Sequence, residues 1–230
     1  MMQRRGFLRL AAKGMLAAFV AACVPGTAAF AATSAQLGEL FRAVQMDDAG
    51  AVKSLLAAGV DPNQPNPTGG EPALVLAVRE GSMRVFQVLL DHPGIQPDAP
   101  AVNGNTALMM AAFKRNGPAV EALIAHGAAV RRPGWTALHY AAASGDEDSA
   151  RLLLKRGAQV DAVSPPASGS YTPLMMAARE GKQEMAVFLL GQGANPQLKN
   201  TEGLTAAQIA ERAGRTDIAE AIRQRQGRAR

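Results

Sequence analysis

Aromatic residues make up only 4% of the 230-residue chain, with one tryptophan (Trp135), one cysteine (Cys23) and three histidines. Each shortage excludes something. A lone cysteine allows neither an intrachain disulfide nor a cysteine-based metal cage. A hydrophobic share of 48% with so few rings requires a core of Ala, Leu, Val and Met. That argues against a β-sandwich or barrel, whose strands draw on aromatic and β-branched residues. No apolar run approaches the roughly 20 residues of a membrane-crossing helix. His92 and His126 fall at the ends of second helices, and none of the histidines sits in an H-E-x-x-H zinc motif. Ser144 and Ser170 lack a glycine elbow. Gly69-Gly70 reads as a turn rather than a phosphate loop, and Asp47-Asp48 and Asp146–Asp148 lack the ligand spacing of a calcium loop. The sequence therefore offers no catalytic, cofactor or metal site.

The net charge of +5 is concentrated at the two ends. Residues 1–31 hold Arg4, Arg5, Arg9 and Lys13 and no acid, so beyond them 20 basic residues face 19 acidic ones. Leaving out the last eight residues as well, which hold four arginines, gives 16 against 19. A body so close to neutral is a poor polyanion binder, and nucleic acid is not expected as a partner.

Residues 1–31 read as an address rather than a fold. The charged start is followed by the short apolar run Gly14–Ala22, then Pro25-Gly26, then Ala29-Phe30-Ala31 with small residues where a signal peptidase reads. Gln3-Arg4-Arg5-Gly6-Phe7-Leu8-Arg9 resembles the twin-arginine export signal, with Gln3 and Arg9 as mild departures. The resemblance implies a bacterial protein exported folded, to the periplasm; an ordinary secretory signal would change the route and not the destination. Val20-Ala21-Ala22-Cys23 also resembles a lipobox, which would make Cys23 a lipidated membrane anchor. The downstream Ala-x-Ala site favours removal of Cys23 with the signal.

The rest of the chain repeats. Thr106-Ala107-Leu108-Met109-Met110-Ala111-Ala112 recurs as Thr136–Ala142 and Thr172–Ala178, and more weakly as Thr205–Ala210. An apolar pair follows about seventeen residues later, as Leu123-Ile124, Leu153-Leu154 and Leu189-Leu190, and Gly127-Ala128, Gly157-Ala158 and Gly193-Ala194 close three copies. Pro72–Ala77 and Leu40–Ala43 open two further copies upstream. The body resembles the ankyrin repeat, whose 33-residue period, threonine-led openings and Gly-Ala closures agree here in phase. The resemblance implies an all-α solenoid of about six helix-turn-helix units with short β-hairpin-like fingers. The units run approximately 34–63, 64–98, 99–130, 131–162, 163–197 and 198–223, followed by a basic tail at 224–230.

One unit shows the physics. Thr136 is a natural N-cap, and Leu138, Ala141 and Ala142 form a buried stripe whose small alanines admit the next repeat. Gly145 ends the first helix. Asp146-Glu147-Asp148 places acids at the start of the second, where the helix dipole favours them. Ala150, Leu153 and Leu154 form its apolar stripe. A single unit cannot cover both faces, so stability comes from stacking. His139 is expected to hydrogen-bond the neighbouring turn.

Function is then expected on the surface. Ankyrin domains usually bind partner proteins on the concave side, through fingers and the exposed face of the first helices. Position by position, this exposes the residue before each opening threonine or, in one copy, Pro72 (Glu71, Asn105, Trp135, Tyr171 and Leu204). It also exposes the pairs Arg79-Glu80, Phe113-Lys114, Ala143-Ser144, Arg179-Glu180 and Arg212-Ala213. Trp135, Tyr171 and Phe113 are the expected anchors, surrounded by Lys114, Arg115, Arg131, Arg132, Arg79 and Arg179, since Trp, Tyr and Arg most often supply interface energy. The competing reading packs the rings on their own hairpins. The arginines suit an acidic patch on the partner, although Glu71, Glu80 and Glu180 dilute the field. The resulting expectation is a monomeric, non-catalytic protein-binding module. The alternative is a toxin-neutralising or enzyme-accessory protein that occludes one dedicated partner.

Overall fold

The computed structural model describes residues 33–228, and the twin-arginine-like segment, Cys23 and the Ala29–Ala31 site lie outside the described residues. Twelve α-helices form six helix-turn-helix pairs: α1 (Ser34–Gln45) and α2 (Ala49–Ala57), α3 (Ala73–Glu80) and α4 (Met83–Leu90), α5 (Ala107–Phe113) and α6 (Gly117–Ala125), α7 (Ala137–Ser144) and α8 (Glu147–Lys155), α9 (Pro173–Arg179) and α10 (Gln183–Gly191), α11 (Ala206–Arg212) and α12 (Thr216–Arg228). No strand occurs among the described residues; the fingers are turns, with one antiparallel bridge between Pro65 and Pro72. This is the all-α solenoid expected from the repeats. Helix α12 continues to Arg228, through most of the segment expected to be a loose tail. Arg and Gln are good helix formers, and the single Gly227 near the end does not stop the helix.

The local chemistry repeats from pair to pair. The hydroxyls of Thr106, Thr172 and Thr205 accept from the N–H three residues on and cap the first helices. Asp48, Asn116 and Asp146 cap the second helices in the same way. Gly59, Gly127, Gly157 and Gly193 take φ near +90° at the closures. That lets the next N–H turn back to the helix, as from Ala128 to the Leu123 carbonyl at 2.9 Å. Ala77, Ala111, Ala141, Ala142, Ala177 and Ala210 are fully buried. Their small side chains let α3, α5, α7, α9 and α11 stack face to face.

Polar ties join successive units where the fingers begin. Asn63 accepts from the Gln96 N–H, the Asp98 carboxylate from the Ala129 N–H, and Asp161 from the Asn195 N–H, each at 2.8–3.0 Å. The elbow after each first helix needs a left-handed residue. Gly81, Gly145, Gly181 and Gly214 supply it in four units, while Asp47 (φ 50°) and Arg115 (φ 57°) stand there in the other two.

Candidate functional site

Three rings converge where consecutive units meet on the finger side. Phe113 ends α5, Tyr140 lies in α7, and Trp135 sits on the finger leading into α7. The Phe113 and Tyr140 rings meet edge to face at 6.2 Å and 85°, and Trp135 meets Tyr140 at 6.2 Å and 69°. They wall a cavity of about 350 Å³, with His139, Ala143, Met176, Arg179 and Glu180 completing the lining. Phe113 is 49% exposed, which is unusual for a residue of its size in this chain.

The polar atoms of Tyr140 and His139 in the pocket already have partners. The Tyr140 hydroxyl donates to Asn105 Oδ1 at 2.5 Å. Burial raises its pKa, opposed by that hydrogen bond and by the charge of Arg132. His139 is fully buried and lies edge-on beneath Trp135, with centroids 5.2 Å apart. Its Nδ1 accepts from the Thr136 N–H at 3.2 Å, so Nε2 carries the proton and donates to the Tyr171 carbonyl at 3.0 Å. Burial lowers its pKa to about 4, against the opposing hydrogen bonds to backbone. His139 thus has the bridging role expected of it.

Tyr171 was expected to project from its finger, and the structure corrects this: it is 9% exposed. The finger before α9 is longer than its neighbours, and the 3-10 turn Pro166–Ser168 takes up the extra residues. The chain then doubles back through Gly169 at φ 101°, and the ring lies so close that a Cβ there would come within 2.4 Å of it. The guanidinium of Arg179 covers the ring at 5.1 Å. Glu71 was also expected to be exposed; it is buried because Arg79 holds its carboxylate at 2.6 Å.

The cations divide into two groups. Arg79 binds Glu71 and Glu80, and Arg179 binds Glu180 at 2.9 Å, so neither is free as the sequence suggested. Arg115 lies away from the rings, in a cleft at the elbows with Asp146, Glu147, Asp148 and Lys182. Lys114 follows Phe113 and is exposed. Arg131 runs its side chain toward Gly157, and Arg132 is half-buried. Trp135 is half-buried as well.

The sequence reading missed Tyr140 and Met176. The signal was present: Tyr140 lies three residues before Ala143, and residues so spaced share a helix face. Met110 and Met176 occupy the same place in the neighbouring repeats.

Among the described residues, no His, Cys, Asp or Glu side chains group as a metal ion would need. No helix among them is long and apolar enough to cross a membrane.

Models for ankyrin repeats match residues 40–132, 93–164 and 153–210. Over 160 residues, 66% of its length, the chain is 31% identical to the human transient receptor potential cation channel subfamily A member 1, covering 14% of that protein. It is 34% identical over 142 residues, 59% of its length, to the mouse nuclear factor NF-kappa-B p105 subunit, again covering 14%. With the Xenopus tropicalis neurogenic locus notch homolog protein 1 it shares 38% identity over 132 residues, covering 56% of this chain and 5% of that one. The chain therefore spans about one-seventh or less of the length of these relatives. The crystal structure of the ankyrin repeat domain of Bcl-3, described as a member of the IkappaB protein family, superposes with a TM-score of 0.66 at 26% identity, over 81% of this chain and 85% of that one.

Proposed function

The chain belongs to the ankyrin-repeat family, and from that premise we propose that it is a non-catalytic binding module of the bacterial periplasm, holding a partner protein against its fingers and first helices. Ankyrin repeats are protein–protein interaction modules. The observation that carries the proposal is the convergence of Phe113, Trp135 and Tyr140 from consecutive units on one open pocket. The first helices mostly bury small alanines; here three of the chain's ten Phe, Tyr and Trp rings gather at a surface. Rigid rings supply contact area at little entropic cost, which makes them interface anchors. The periplasmic part rests on Arg4-Arg5 and the Ala29–Ala31 site.

Affinity capture from a periplasmic extract tests the proposal, using the wild type beside Phe113→Ala. A partner held by the wild type and lost by the variant, with circular dichroism unchanged, is the expected result. Equal capture by both would overturn it.

A further inference from the structure

We infer that the pocket between α5, α7 and α9 receives one bulky apolar or aromatic side chain presented by an acidic segment of the partner protein. This rests on the finger-side reading above and adds the chemistry of what occupies the site.

The pocket wants an apolar occupant. At about 350 Å³ it lies at the small end of the range that accepts organic groups. The Tyr140 hydroxyl is bound to Asn105, and both nitrogens of His139 are engaged. Arg179 and Glu180 pair with each other at the edge. No buried polar atom of the lining is left asking for a partner among the described residues. A ring or branched aliphatic chain would cover Phe113 and Met176 without breaking the hydrogen bonds of Tyr140 or His139.

The surroundings want negative charge. Lys114 is exposed and directly follows Phe113, and Arg132 acts on Tyr140 through its charge. Neither makes an ion pair among the described residues, in contrast to Arg79, Arg84, Arg151, Arg179, Arg212 and Arg223. The nearest carboxylate, Glu180, is neutralised by Arg179. Three rings are also how cages for quaternary ammonium groups are built. A cation entering here, however, would meet Lys114, Arg132 and Arg179 against that one carboxylate. Charge thus decides between the two uses: the segment that delivers the side chain is acidic.

Trp135 is the chain's sole tryptophan and lines the pocket, so its emission reports occupancy directly. The exported protein would be titrated with synthetic heptapeptides: one of glutamates around a central phenylalanine, one with alanine at the centre, one of lysines around phenylalanine, and one centred on trimethyl-lysine. The expected result is a saturable response to the first peptide. Binding should weaken about tenfold or more when the phenylalanine becomes alanine, and by a similar factor in the double variant Lys114→Glu/Arg132→Glu. It should also weaken with added salt.

Equal or tighter binding of the lysine or trimethyl-lysine peptide would overturn the inference, as would an acidic response indifferent to the central ring. If every peptide fails while Phe113→Ala still abolishes partner capture, the finger-side reading stands and this inference falls.

Discussion

The imidazole of His139 in α7 donates to the backbone carbonyl of Tyr171, 3.0 Å away at the start of the next unit. The same ring accepts from the Thr136 N–H of its own unit. One buried neutral side chain therefore closes a helix and ties two repeats, and it stands directly beneath the aromatic pocket.

The burial of this imidazole makes stability depend on pH. The folded pKa of about 4 lies below the ordinary 6.5, so between those values the unfolded chain binds the extra proton. The contribution is fully present above about 6.5 and is lost as pH falls toward 4, amounting to about 3 kcal/mol at most. His139→Gln, which does not titrate, should flatten the slope of melting temperature between neutral pH and pH 4. An unchanged slope in that variant would place the effect in other groups.

Tyr171, Phe113 and Trp135 should behave differently on truncation. Tyr171→Ala removes a buried ring, so it should cost about 2–4 kcal/mol of stability and leave partner contacts in place. Phe113→Ala, at a site half exposed, should shift stability by less than about 1 kcal/mol and weaken binding by about 2 kcal/mol. Trp135→Ala should lower both, because the indole packs on His139 and Tyr140 while lining the pocket. Paired thermal melts and binding titrations on the three variants check this; the reverse ordering of Tyr171 and Phe113 would contradict it.

Two elbow residues share one backbone conformation but should respond oppositely to glycine. Arg115 holds φ 57° and makes no ion pair among the described residues, so Arg115→Gly should stabilise by about 0.5–1 kcal/mol by relieving the left-handed cost. Asp47 at φ 50° accepts from the Val85 N–H at 2.9 Å and binds Arg84 at 3.0 Å. Asp47→Gly forfeits these ties between the first two units and should destabilise by about 1 kcal/mol. Urea melts of both variants give the signs.

Export should depend on the arginine pair. With Arg4 and Arg5 both changed to Lys, the precursor should stay in the cytoplasm, because the twin-arginine signal is read through its guanidinium groups. Fractionation and mature N-terminal sequencing check this. Periplasmic accumulation at the normal level would exclude that route, and an acylated Cys23 would show a lipid anchor.

The fold was legible because its signals repeat. Thr106, Thr136, Thr172 and Thr205 each open a helix, and the Gly-Ala closures keep phase with them. The pocket was only half legible. Phe113 and Trp135 follow from their place in the repeat, since that place fixes which side of the unit a residue faces. Tyr171 does not: its burial depends on the longer finger and the turn at Gly169, which shift it from the average unit. Tyr140 escaped notice because its position in neighbouring repeats holds methionine and looks like core. The pairing of Arg79 with Glu71 and of Arg179 with Glu180 was likewise invisible, since it depends on side-chain reach rather than register.

The central claim, that partners dock on the pocket between α5, α7 and α9, is tested most directly by site-specific photocrosslinking in the periplasm. A benzophenone amino acid would replace Phe113 in one variant and Gln87, exposed on the second helix α4, in another. The expected result is a discrete adduct from position 113 that is absent at position 87 and that maps to an acidic segment of the captured protein. An adduct formed from position 87 and not from 113 would contradict the claim.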